Sequence, residues 1–412
     1  MIVLHICYRD RGGAAQAAIR FHKEYLRRGV TSEFLFLGPS TKEVPNSHYV
    51  YEGSNKSKIY TLLKKLKLKH SKEERQKKRL LRIKGDSSFE GFSFSTSSIN
   101  IRASKVFQQA DIIHLHWAGN LVDFSSVFKN LNKPVFWTFH DMNPFLGGLH
   151  YQGDLNRNRD NAELIALNQK ELDIKAKALS HFKALTVITP SEWLKKASQE
   201  SEIFKNYPHY HIANGLDTQI FKYYDPTFAR SVFNIPTDKK IFLFVSDRLG
   251  NYRKGMDLLK GAIDSITLKE EIVICTLGEG NFSINKNNIQ PLPLHSINDE
   301  RLISLLYAAV DYVIIPSRED NLPNVMIEAM ACGTPIISFP IGGMKEIIQT
   351  GFNGILAKNL SADALKIAIE EAISDKYIFS KRDIIDYAQR HFNIVKQADK
   401  YLALYKIVSY NH

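Results

Sequence analysis

The sequence has little cysteine and no apolar stretch long enough to cross a bilayer. Cys7, Cys275 and Cys332 are the only cysteines in 412 residues. Odd in number and scattered through apolar segments, they read as reduced core residues and exclude a disulfide framework. No uninterrupted apolar run approaches the roughly 20 residues of a spanning helix. The N-terminus, MIVLHICYRDRGG, lacks the basic region of a secretory leader and runs straight into a strand and a glycine turn, so it is expected to be mature structure. There is also no Asp-x-Asp motif for a metal, no internal repeat and no nucleic-acid motif. These absences lead us to expect a cytoplasmic globular protein.

What is present is uneven. The net charge is +12, yet residues 56–84 hold thirteen Lys and Arg against Glu73 and Glu74. Nearly all of the excess therefore sits in one basic segment. Within it Ile59, Leu62, Leu63 and Leu66 fall at helical spacing, with Lys64, Lys65, Lys67 and Lys69 among the cations around them. A basic amphipathic helix suits a membrane surface carrying anionic lipids; a solvated helix lying over the first domain is the plain alternative. The segment has no aromatic interleaving, so nucleic acid is not expected.

The length and the 44% hydrophobic content suit two full-sized cores. Two successive runs of alternating strands and helices predict two doubly wound α/β domains facing a cleft. We place the first over 1–213, the second over 214–390, and a last helix over 391–412. The polar stretch near 214–240, with Pro226 and Pro236, reads as the linker. A helix is expected over Ile99–Gln109.

The most informative stretch is Asp311 to Glu346, DYVIIPSREDNLPNVMIEAMACGTPIISFPIGGMKE. Tyr312 to Ile315 is a short buried strand, followed by a polar loop through Arg318, Glu319, Asp320 and Asn321. Pro323 suits the first position of a helix. The amides of Asn324 and Val325 then lie at its positive end, which suits a phosphate. Glu328, among apolar neighbours, needs a partner if buried; a ribose diol is one, a local salt bridge another. Gly342-Gly343 opens the next turn.

Three further loops resemble ligand loops in miniature. Arg11-Gly12-Gly13 follows the first strand, where a backbone can approach a phosphate or simply turn. Arg248 and Arg253-Lys254-Gly255 follow a strand at 240–246 and offer cations to a diphosphate. His114, His116 and His140 lie at the ends of two neighbouring strands, where substrates sit in parallel sheets.

Taken together, these residues resemble the retaining glycosyltransferases of family 4. The run Asp320…Glu328-Ala329-Met330-Ala331-Cys332-Gly333-Thr334-Pro335 with Gly342-Gly343 resembles their donor-site signature. Its first acid is usually Glu; here Asp320 holds the register and Glu319 precedes it. DIIHLHW and WTFHDMNPFLGGLHY resemble a branch common in bacterial surface-polysaccharide pathways, without the cysteines that many of its members carry just past His150-Tyr151. No structural zinc is therefore expected. NGLDTQIF resembles the family's interdomain turn, and the resemblance implies that the last helix, within 391–412, crosses back to the first domain.

The resemblance implies a GT-B fold and a metal-independent retaining hexosyl-type transferase. Its donor would be a nucleoside diphosphate sugar, of UDP or GDP, with no further cofactor. Its acceptor would be a hydroxyl on a lipid-linked glycan of capsule, lipopolysaccharide or other surface polysaccharide. Arg248 (or its rival Arg253) and Lys254 would hold the diphosphate with Gly12, Gly13, Asn324 and Val325, and Asn321 and Leu322 would also bind the donor. Glu328 would bind the ribose, Asp320 (or Glu319) would orient the sugar, and His140 would touch the sugar and acceptor. The protein would be cytoplasmic and peripheral on the inner membrane face. An epimerase or glycogen-type synthase on this fold, or a non-catalytic carbohydrate- or lipid-binding protein, are the alternatives.

Overall fold

The computed structural model describes all residues except 39–42, 52–71, 85–87, 268–269, 285 and 411–412. The chain divides into two compact units, Met1–Ile212 with Ala398–His412, and Ala213–Gln397. Among the described residues no helix is long and apolar enough to cross a membrane.

The first unit is built on seven strands: β1 Ile2–Ile6, β2 Thr31–Leu37, β3 Ser47–Val50, β4 Ile112–Leu115, β5 Val135–Thr138, β6 Leu185–Thr189 and β7 His209–His211. Their order is β3-β2-β1-β4-β5-β6-β7, and every neighbouring pair is parallel. The order reverses direction between β1 and β4, where a doubly wound sheet leaves a crevice beyond its carboxyl ends.

Successive strand residues face opposite sides, and here the two sides differ in chemistry. Leu4, Ile6, Ile113, Leu115, Val135, Trp137 and Phe139 point to one side and join its apolar core. The residues between them, His5, His114 and Thr138, are each no more than 1% exposed. That second side is covered by helix Gly13–Arg27, which contributes Tyr25, and by the end of helix Ile394–Tyr410, which contributes Tyr401 and Tyr405.

The second unit holds six strands: β8 Lys240–Arg248, β9 Ile272–Glu279, β10 Ile289–Pro293, β11 Tyr312–Ile315, β12 Ile336–Ser338 and β13 Gly354–Leu356. All pair in parallel in the order β10-β9-β8-β11-β12-β13. The reversal falls between β8 and β11. Apolar cores lie on both faces, as expected for a parallel sheet wrapped by helices.

Several expectations need correction. The helix expected over Ile99–Gln109 is a 3-10 turn at Ile101–Ala103 followed by helix Lys105–Gln109. Ser104 between them is extended, and its hydroxyl accepts from the Phe107 amide, starting a new helix. The polar stretch read as linker contains helix Pro226–Val232, started by Asp225 capping Phe228. That helix is held in the second unit by Arg230, which donates to the Ala309 carbonyl at 2.9 Å and pairs with Asp311 at 3.0 Å. Pro323 is the cap of helix Asn324–Ala331 rather than its first residue, with an extended ψ of 128°. In the basic segment, Lys72–Lys84 is a helix; Lys64, Lys65, Lys67 and Lys69 lie outside the described residues.

Candidate functional site

The loops that follow β8 and β11 flank the reversal point of the second sheet, and they are locked together. After β8 the chain forms a 3-10 turn at Tyr252–Lys254, started by the Asn251 side chain accepting from the Arg253 amide. Gly255 then takes φ +72° against the chain after β11, where a Cβ would meet the Pro316 carbonyl oxygen at 1.8 Å. Only glycine fits such a left-handed, backbone-to-backbone approach. The Arg318 amide donates to the Arg253 carbonyl at 2.7 Å. The Arg318 guanidinium reaches the Tyr252 carbonyl at 2.6 Å and Asp257 at 2.7 Å, and lies 3.9 Å from the Tyr252 ring centre.

This clamp brings two cations onto one acid. Lys254 Nζ is 2.7 Å from Asp320 Oδ2, and an Arg253 guanidinium nitrogen is 3.1 Å from the same oxygen. Arg253 also donates to the Glu319 carbonyl at 2.8 Å. Ser317 donates to Asp320 at 3.3 Å, and the Asn321 amide to its other oxygen at 3.1 Å. Burial alone would raise the Asp320 pKa, but Lys254 and Arg253 outweigh it and hold the carboxyl at about 2. Arg248 is not brought to this cluster. It ends β8 exposed to solvent, so of the two candidate arginines the one beside Asp320 is Arg253. Of the two acids, Asp320 is the buried, ion-paired one, and Glu319 is half-buried.

Helix Asn324–Ala331 starts next to this cluster, and no side chain caps it. Asn321 and Leu322 are buried before it, while Asn324 and Val325 in its first turn are half-buried. The Asn324 side chain accepts from Asn214 at 3.0 Å. Glu328, one turn on, is 7% exposed and accepts from the Tyr307 hydroxyl at 3.0 Å. The sequence pattern left its partner open; it is a tyrosine from helix Glu300–Ala309. Gly342, at φ +49°, lies so close to the Asp320 carbonyl that a Cβ would sit 1.9 Å from it. The glycine pair thus lets the β12 turn pack onto the acid loop.

In the first unit, Gly12 takes φ +83° and precedes helix Gly13–Arg27, with both glycines exposed beyond β1. His140 is half-buried at the end of β5. Its Nε2 lies 3.2 Å from His116 Nδ1, and His116 Nε2 lies 3.0 Å from His5 Nδ1. Burial lowers the pKa of His140 to about 4, against an opposing pull from Asp141. His114 is held by the Tyr405 and Thr138 hydroxyls at 2.5 and 2.8 Å.

Among the described residues His5, His114 and His116 have ring nitrogens close enough to share a cation, within 4.8 Å. Their rings, however, stack within 35° of one another, and both His114 nitrogens are engaged. A metal needs lone pairs that converge, so we read a hydrogen-bonded stack.

The loop after His140 is pinned from within. Asp141 pairs with His150 Nδ1 at 2.6 Å, and His150 Nε2 meets the Ser93 hydroxyl at 2.9 Å. The spacing imitates a catalytic triad. Ser93 is only 2% exposed, though, and a nucleophile must be reachable, so the chain acts as a brace. Buried Lys175 supports the same loop, donating to the Gly147 carbonyl at 2.7 Å.

Residues 225–391 match the family described as "Glycosyl transferases group 1". The chain is 24% identical over 356 residues to an uncharacterized glycosyltransferase of Methanocaldococcus jannaschii, covering 81% of this chain and 88% of that one. Among solved structures it resembles sucrose-phosphate synthase of Thermosynechococcus elongatus, with a TM-score of 0.69, 17% identity and 100% of each chain covered. It also resembles HepE of Anabaena in complex with UDP, with a TM-score of 0.65, 16% identity, and 98% and 100% of the two chains covered. Two parallel sheets of seven and six strands in this likeness make the fold GT-B, as the sequence implied.

Proposed function

We propose that the protein moves a sugar, with retention, from a nucleoside diphosphate sugar of UDP or GDP to a hydroxyl of a lipid-linked surface glycan. The observation that carries this reading is the convergence of Lys254 and Arg253 on buried Asp320 at the reversal point of the second sheet. Two fixed cations beside an uncapped helix start form a preorganised receptor for a diphosphate. As the glycosidic bond breaks, negative charge gathers on that leaving group, and groups already in place stabilise it without reorganising.

In this proposal Lys254, Arg253 and the first-turn amides at Asn324 and Val325 hold the diphosphate. Glu328, oriented by Tyr307, binds the ribose diol, and Asp320 orients the sugar hydroxyls. Asn321 and Leu322 line the donor. Gly12, Gly13 and His140 serve the first unit's part of the reaction, with His140 toward the acceptor. The basic segment 56–84 holds the protein to an anionic membrane face, where lipid-linked acceptors reside. Support for it comes from the solvent-facing cations of helix Lys72–Lys84, among them Arg75 and Lys77.

The test is a thermal-shift screen of UDP-, GDP- and TDP-sugars followed by donor hydrolysis. Stabilisation by one nucleotide class, with hydrolysis abolished by Lys254→Ala, is expected. Hydrolysis unaffected by that change would overturn the reading.

A further inference from the structure

Arg318 is a third cation beside the candidate donor site, in the loop after β11 and two residues before Asp320. Among the described residues its bonds all run to the chain that follows β8. Its amide donates to the Arg253 carbonyl at 2.7 Å. One guanidinium nitrogen donates to the Tyr252 carbonyl at 2.6 Å and to Asp257 Oδ1 at 2.7 Å, and the other donates to Asp257 Oδ2. The group lies over the Tyr252 ring, 3.9 Å from its centre.

A guanidinium grips an anion best with its two terminal nitrogens side by side. Here Asp257 fills that fork. Arg318 is thus ill-placed to receive a phosphate, although its charge has the right sign. What its bonds do is fix the turn Tyr252–Lys254, from which Arg253 and Lys254 reach Asp320.

The arrival of a diphosphate would set two kinds of contact apart. Lys254 and Arg253 hold Asp320 through the same charged groups that would turn to the phosphates. Those ion pairs loosen as the ligand binds. The Arg318 bonds run instead to two backbone carbonyls, a ring and Asp257, none of which the ligand displaces. They keep the turn in place while the two cations change partner. As a fold stabiliser the pair is a weak one. The Asp257 side chain is 58% exposed, and exposed ion pairs contribute little to stability. The pairing is nevertheless tight enough that Arg318 holds the Asp257 carboxyl below its usual range.

We infer that Arg318 and Asp257 are positioning residues for the donor diphosphate: their clamp holds the Tyr252–Lys254 turn so that Lys254 and Arg253 stay aimed at the ligand. This role rests on the proposed function, in which those two cations bind the donor. It predicts a sign that charge alone does not. Asp257 is an acid three residues from Lys254, so by Coulomb's law its neutralisation should tighten the binding of an anion. If Asp257 acts by holding the turn, its neutralisation should weaken that binding.

Titration calorimetry of the full chain with UDP and with GDP reads the sign. Asp257→Asn has one acceptor oxygen where the fork needs two. It should weaken the nucleotide that the wild type binds by about fivefold or more, the scale of coupling within one hydrogen-bond network. Arg318→Ala should weaken it at least as much, and Asp257→Glu, which keeps the charge and both oxygens, should recover most of the loss. Equal or tighter binding by Asp257→Asn, or no recovery in Asp257→Glu, would overturn the inference. Hydrogen exchange without nucleotide gives the second readout. Amides 251–255 should exchange faster in Asp257→Asn and Arg318→Ala, with the unfolding midpoint close to that of the wild type. Unchanged exchange in that turn, or loosening of the whole second unit, would overturn the clamp itself. If the wild type binds neither nucleotide, the donor reading fails and the ligand role with it, and the exchange result still decides whether the clamp fixes the turn.

Discussion

Lys254 Nζ lies 2.7 Å from Asp320 Oδ2, 66 residues away in sequence and across the central strand pair β8 and β11. The acid is buried and shared with Arg253. The pair thus keeps two cations fixed and partly desolvated at the place where a parallel sheet binds its ligand.

Removing the lysine separates binding from folding. In Lys254→Ala, Asp320 keeps Arg253, so the stability loss should stay below the roughly 3–5 kcal/mol of an orphaned buried charge. Donor hydrolysis should fall by a factor of about 100 or more, as for loss of one preorganised charge-stabilising group. Urea denaturation and a hydrolysis assay on the same samples check both. Arg248→Ala, which changes an exposed residue, should reduce hydrolysis far less than Arg253→Ala.

Glu328 and Tyr307 form the second test. Glu328→Gln should weaken UDP or GDP binding about tenfold or more, the scale of a charged hydrogen bond of roughly 1.5–3 kcal/mol. Tyr307→Phe should cost about 1 kcal/mol of stability and weaken binding less. Titration calorimetry decides; unchanged affinity in Glu328→Gln would contradict the ribose role.

Gly255 should be intolerant of change. Gly255→Ala places a Cβ 1.8 Å from the Pro316 carbonyl in a left-handed backbone. The loss should therefore exceed the roughly 1 kcal/mol of an unclashing left-handed alanine. Denaturation midpoints measure it, and reduced nucleotide binding should accompany it because Lys254 is adjacent.

The buried histidines predict acid lability. Burial lowers His5, His114, His116 and His140 in the native state, His114 to about 3 and His140 to about 4. The unfolded chain binds those protons near pH ~6.5. Native stability is thus complete above that value and falls as pH drops toward 4. The surrounding groups, Tyr25, Tyr401, Tyr405 and His22, add no negative charge there, and Asp141 offsets only part of the effect at His140. Asp320 and Asp141, both lowered, lose their contribution only under more acid conditions. Thermal unfolding between pH 7.5 and 4.5 should show a falling Tm, shallower in His116→Asn. A flat profile would contradict it.

Charge removal at Lys64, Lys65, Lys67 and Lys69 should reduce sedimentation with anionic vesicles while leaving neutral vesicles unaffected. Arg82, paired with Glu163 at 2.6 Å, provides a less sensitive control site. No change on removing the four lysines would leave helix Lys72–Lys84 as a solvated cover.

Much of this was legible in the order of residues. Strands β8, β9 and β11 are continuous apolar runs, and the loop-helix from Ser317 to Ala331 announces itself by its polar-to-apolar switch, proline and glycines. What stayed hidden depends on partners distant in the chain. Arg248 and Arg253 are alike as residues; only the 3-10 turn at Tyr252–Lys254 turns the second toward Asp320. Arg318 looked like one more loop cation, and its bonds to Asp257 and Tyr252 exist only once two loops meet. Helix Pro226–Val232 was concealed by its polar composition, although Asp225-Pro226 is a legible start signal. His5 sat unnoticed in the first strand, because its link to His116 depends on the β1–β4 register.

The most direct test of the central claim is the structure of the protein with UDP or GDP bound. The account predicts diphosphate oxygens within about 3 Å of Lys254 and Arg253, as in charge-assisted hydrogen bonds, with the ribose on Glu328. A nucleotide bound away from these residues, or none bound at saturating concentration, would contradict it.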